Sequence, residues 1–155
     1  FTLHSKMFFL LPTYEHQKRE VLKPQFHDLI DKSLEMRDAD HNNICISSFA
    51  EVTDDIELAD EHLLQRLSPY HMWSDDYAER RLKWKKVKPL HILLLRVHLM
   101  HRPLIIRHKP EYSGCKSWVS LELPADFSDV EKTPALDDDA YAGKRSEILR
   151  VLTDR

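Results

Sequence analysis

Glycine is nearly absent from this chain, with two residues in 155, Gly114 and Gly143. A loop that cradles phosphate through backbone amides needs several glycines close together, so the P-loop and dinucleotide fingerprints are excluded. Cysteine is equally scarce: Cys45 and Cys115 stand far apart and form no C-x-x-C pair. They offer neither a disulfide framework nor a zinc knuckle, and they point to a reducing cytoplasm. The ten histidines show no HExxH or Cys/His knuckle spacing, so no metal and no other cofactor is expected. No apolar run approaches the roughly 20 residues that span a bilayer, and no membrane partner is expected. The first eleven residues lack the basic start and small-residue cleavage site of a signal peptide. Because the sequence starts at Phe1, inside an apolar stretch that reads as a strand, further residues are expected to precede it.

Acidic residues are missing from one region. Between Arg80 and Lys109 there are ten Lys or Arg and no Asp or Glu, which leaves 13 basic side chains against 26 acidic ones elsewhere. The chain is near neutral only on average, and a basic face of this kind suits a polyanion. The length allows one domain with a real core and too little for two comfortable ones.

In order, Phe1 to Leu11 reads as one strand or a tight pair, stopped by Pro12. Pro24 opens a helix running to about Arg37, with Phe26, Leu29, Ile30 and Leu34 on one stripe. Ile44 to Val52 alternates as a strand. Thr53, Asp54 and Asp55 resemble N-cap residues for a helix carrying Ile56, Ala59, Leu63 and Leu67. Ser74 is placed to cap a short helix with Asp75 and Asp76 at its start and Arg80 and Arg81 at its end. Leu90 to Met100 and Leu104 to His108 read as a hairpin turning at His101, Arg102 and Pro103, and Ser117 to Leu123 as a further strand. An acidic linker over 125–134 then leads to an amphipathic helix with Tyr141, Ile148 and Leu152 on its stripe.

Large rings lie beside the basic stretch: Trp73, Trp84, Trp118, Tyr14, Tyr70 and Tyr112. Stacking a base on such a ring contributes roughly 1–3 kcal/mol for any base, so rings interleaved with cations can form a nucleotide pocket. Tyr14, His16, Trp73, Ser117 and Trp118 are the expected walls and edge contacts. Arg96, Arg107 and Lys116 are the expected phosphate contacts. Arg96, inside an apolar strand, must be paired or open onto a ligand, because an unpaired buried charge costs several kcal/mol. Each feature also has a structural explanation: tryptophans pack, and Lys83, Lys85, Lys86 and Lys88 form a solvated approach to a strand. A catalytic nuclease would need carboxylates and a lysine gathered at a metal, whereas the aspartates here occupy caps and the tail. Cys115 beside Lys116, with His16 or His71 as base, is the only nucleophile considered, and a packed cysteine is the simpler account.

The motifs PTYEHQK after a buried strand, KPLHILLLRVHLMHRPL, and PEYSGCKSWVSLELP together resemble the bacterial domain-of-unknown-function family 1802, over Phe1 to about Pro124. That resemblance implies a setting alongside restriction-type nuclease domains, and hence DNA rather than RNA. A second resemblance concerns order alone. A strand ending in AEV, a helical excursion, a Tyr and Trp segment and the approach RRLKW are similar to EVE domains among the PUA-like barrels. This implies an aromatic pocket for nucleic-acid bases, including modified ones.

The sequence therefore predicts an α+β fold: a mixed, mostly antiparallel curved sheet of five or six strands, or an open PUA-like barrel, with flanking helices and a C-terminal helix. It divides into a domain over 1–124 and an acidic linker with helix over 125–155. The expected function is non-catalytic nucleic-acid binding, with a basic face for phosphate and an aromatic pocket for a base, linked to DNA restriction or defence. The alternative is a scaffold subunit whose C-terminal helix docks a protein partner.

Overall fold

The computed structural model describes residues 2–13, 18–35, 42–83, 89–114, 116–123 and 131–153. Two long strands dominate it. β2 (Asn43–Leu58) and β3 (Leu90–Arg107) pair antiparallel from Asn43 opposite Arg107 to Leu58 opposite Leu90. Short edge strands complete the sheet. β1 (Met7–Phe9) lies against Phe49–Glu51, and β4 (Lys132–Pro134) against His98–Met100, giving the order β1-β2-β3-β4 with every pairing antiparallel. The sheet is curved and open, and no pairing joins β1 to β4 among the described residues. Four helices flank it: α1 (His27–Glu35), α2 (Glu61–Arg66), α3 (Asp75–Lys83) and α4 (Asp138–Thr153). The predicted α+β class with a C-terminal helix holds, with four strands among the described residues where five or six were expected.

Two register shifts explain where the sequence misleads. Between Val52 and Asp54 the ladder slips, so β2 does not stop at Val52 but continues to Leu58. Val52, Asp54, Ile56 and Leu58 remain the less exposed positions across that bulge, so the alternation of β2 continues to its end. The expected cap at Thr53 to Asp55 is strand, and the helix begins later, where Asp60 Oδ1 accepts from the backbone amides of His62 and Leu63 at 2.7 and 3.3 Å. The second shift lies between Ile46 and Ser48, where one residue of β2 faces the four residues from Met100 to Pro103. The expected hairpin at His101 to Pro103 is therefore an irregularity inside one continuous strand. Pro103 cannot donate to a ladder, and a bulge is where a central strand tolerates it.

Ser117 to Leu123 is not a strand either. It runs as irregular chain whose Val119 and Leu121 pack on the core, and the Glu122 amide donates to the Tyr112 hydroxyl at 3.4 Å. Lys132–Pro134, within the stretch expected as a linker, is the edge strand β4.

The bulges divide the interior into two clusters at opposite ends of the ladder. One gathers Ile44, Ile46, Phe49, Met100, Leu104, Ile106 and Tyr112, with Ile46 fully buried. The other gathers Leu58, Leu64, Leu67 and Ala78, covered by Ile148, Val151 and Leu152 of α4. Polar contacts hold α4 in place across the sheet. Arg145 makes two hydrogen bonds to the Asp54 carboxylate, at 2.7 and 2.6 Å, and the Thr53 and Tyr141 hydroxyls meet at 2.6 Å. The side chains that resembled a helix cap thus serve as the docking points of a different helix.

Candidate functional site

Two cavities flank the ladder, and Leu93 touches both. The first, of about 420 Å³, is walled by α2, the segment leading to α3, α3 itself, the start of β3 and Ile148 of α4. Its rings come from a spacing of four: Trp73 just before α3, Tyr77 on its first turn, and Arg81 one turn further, all on the cavity wall. The Trp73 and Tyr77 rings lie 5.1 Å apart and are tilted by 38°. Trp73 is 42% exposed, so part of its face meets water, and Arg81 has no ion-pair partner among the described residues. Backbone bonds fix the segment: Trp73 bridges to Leu22, and the Ser74 amide donates to the Val21 carbonyl at 2.9 Å.

Two histidines belong to the same wall. Burial, reinforced by the Lys23 ammonium, lowers the His71 pKa below its ordinary value. Neither of its ring nitrogens has a hydrogen-bond partner among the described residues. His71 is therefore a neutral, shielded imidazole. His91 Nδ1 lies 2.7 Å from Asp55 Oδ1, which orients that ring against the cavity.

The second cavity, of about 660 Å³, lies between β1, the middle of β3 and the irregular segment from Tyr112 to Leu123. It brings together three of the expected site residues, Lys116, Ser117 and Trp118. The Trp118 indole donates from Nε1 to the Thr2 carbonyl at 3.0 Å, stacks parallel on His4 and meets Phe8 edge-on.

The other expected residues lie elsewhere. Arg96 is buried beneath the start of α4: it donates to the Asp137 carbonyl at 3.1 Å and to Asp138 Oδ1 at 2.6 Å, and sits 4.7 Å from the centre of the Tyr141 ring. Of the two options for a charge in an apolar strand, the chain takes pairing. Arg107 is exposed at the far end of β3. Tyr14 and His16 lie outside the described residues, as do Trp84, Lys85, Lys86, Lys88 and Cys115. Trp73 and Trp118 thus line different cavities, and among the described residues the rings and cations do not converge on one concave surface. Part of the positive charge is also paired: Lys83 with Glu61 at 3.0 Å and Glu79 at 3.7 Å, and Lys109 with Glu122. Sequence reasoning missed Tyr77 and the Asp55–His91 pair. The period of four from Trp73 through Tyr77 to Arg81 was the available signal for the first. The second depends on a register that bulges conceal.

Among the described residues no group of three or more His, Cys, Asp or Glu is placed to hold a metal ion. No described helix is long and apolar enough to cross a membrane. No curated protein and no solved structure matches the chain. The model of one family, described as a domain of unknown function, DUF1802, matches residues 1–147, and the chain belongs to that family.

Proposed function

We propose that this chain is a non-catalytic nucleic-acid-binding module whose base-accepting site is the cavity of Trp73 and Tyr77. The observation that carries the reading is a paired, partly exposed aromatic surface on the wall of a 420 Å³ cavity with Arg81 on the same helical face. A cavity of that size falls in the range of small-ligand sites, and its walls are apolar except for a few polar groups. Stacking holds any base, while a cation one turn away meets the phosphate. Lys85, Lys86 and Lys88, which follow α3 in the sequence, are further candidates for phosphate contact. DNA is the expected polymer and DNA restriction the expected setting, on the family resemblance.

Titration of labelled single-stranded and base-modified duplex oligonucleotides across salt tests this. Affinity should fall steeply as salt rises, and Trp73→Ala should weaken binding by about 1–3 kcal/mol, roughly five- to 150-fold. Arg81→Ala should reduce the salt slope by about 0.7 on single strands. No binding at low salt removes the reading.

A further inference from the structure

The second cavity differs chemically from the first. Among the described residues lining it, Lys116 alone is charged and none is a carboxylate. Phe8, Leu11, Leu93, Leu95, Leu121 and Leu123 supply apolar walls. Trp118 contributes its ring surface, because its one N–H is already given to the Thr2 carbonyl. Its polar lining residues are Ser5, Thr13, Tyr112, Lys116 and Ser117, and a hydrocarbon body needs hydrogen-bond partners from none of them. Lys116 and Ser117 are exposed, so they stand on the solvent side of this apolar space. The Lys116 ammonium donates to the Glu111 carbonyl at 2.9 Å and has no acidic partner among the described residues. An ammonium satisfied by one neutral acceptor retains two N–H donors for an anion.

We propose that this cavity binds a single-chain amphiphile, its apolar chain held among the leucines and phenylalanines and its anionic head on Lys116 and Ser117. The volume of about 660 Å³ accommodates such a chain. The proposal stands apart from the nucleic-acid reading, since it uses a different cavity that shares only Leu93 with the first among the described residues. The same head-and-chain chemistry occurs in free fatty acids and in bilayer lipids. The cavity is half-open to solvent and of a size to take one extractable chain, and the vesicle arm below separates that source from a bilayer.

The test uses the full chain and laurate below its micellar concentration, followed by tryptophan emission and by calorimetry, with dodecylamine and phosphatidylglycerol vesicles as separate arms. One laurate should bind per chain, with Trp118→Phe removing most of the emission change. Dodecylamine and the Lys116→Met variant should each bind about ten- to 150-fold more weakly, as loss of a charge-assisted contact requires. Leu95→Phe, which adds bulk inside the cavity, should abolish uptake in protein whose circular dichroism is unchanged. The proposal is overturned if laurate fails to bind, if dodecylamine binds equally well, or if Lys116→Met and Leu95→Phe leave binding intact. Sedimentation with vesicles without laurate uptake overturns it as well.

Discussion

Arg96 illustrates what a single residue can and cannot disclose. Its place in an apolar strand told that the charge needed a partner, and the structure supplies one in the start of α4. Which partner was not legible, because Asp137 and Asp138 are some forty residues away and nothing local links them. Arg96→Ala should destabilise the fold by about 1.5–3 kcal/mol, the usual loss for hydrogen bonds to a charged group, as read from a urea midpoint. The salt slope of oligonucleotide binding should be unchanged in that variant, since its guanidinium is engaged by the helix. The histidines carry a pH prediction. His71 is held neutral by burial and then by Lys23; His98 by burial, then Lys132 and Arg96, with Glu51 opposing. Both folded pKa values lie below the unfolded value of about 6.5, so the unfolded chain takes up protons first. Stability should therefore be full above that value and decline as pH falls below it. His71→Phe and His98→Phe should each flatten the dependence of the urea midpoint between pH 7.5 and 5; an unaltered slope in both would refute the assignment. Asp54 has the same sense at lower pH. Its hydrogen bonds from Arg145 lower its pKa, so its contribution persists until the pH drops through the carboxylate range.

At the scale of elements, helices with clean stripes were readable and the long strands were not. The amphipathic pattern after Pro24 gave α1 within a few residues, and the charge order after Ser74 gave α3. β2 and β3 each carry an interruption that reads as a terminus: Thr-Asp-Asp as a helix cap, and His-Arg-Pro as a turn. In both places the strand survives because the opposite strand continues to offer a ladder, which is a tertiary fact absent from the local sequence. α4 depends on one of those interruptions for its docking. Asp54→Asn should remove the charged partner of Arg145 and weaken the hold of α4 on β2. Hydrogen exchange should then accelerate in α4 amides before it does in β2 or β3. Uniform acceleration across the sheet would mean that the helix and the ladder open together.

For the whole molecule, the consequential result is the separation of its two interiors. The sequence supplied the right materials, rings beside a basic run, and three of the expected contacts, Lys116, Ser117 and Trp118, do share a cavity. It did not reveal that Trp73 belongs to another, because sequence proximity to the basic run is common to both tryptophans while the fold sends them to different cavities. The nucleic acid is proposed to lie on the Trp73 side alone. The most direct measurement is tryptophan emission of a Trp84→Phe, Trp118→Phe variant, which keeps Trp73 as its single tryptophan, during titration with a short single-stranded oligonucleotide at low salt. Emission should be quenched to saturation and recover when salt is raised. Unchanged emission while the oligonucleotide still binds would contradict the assignment of the site to this cavity.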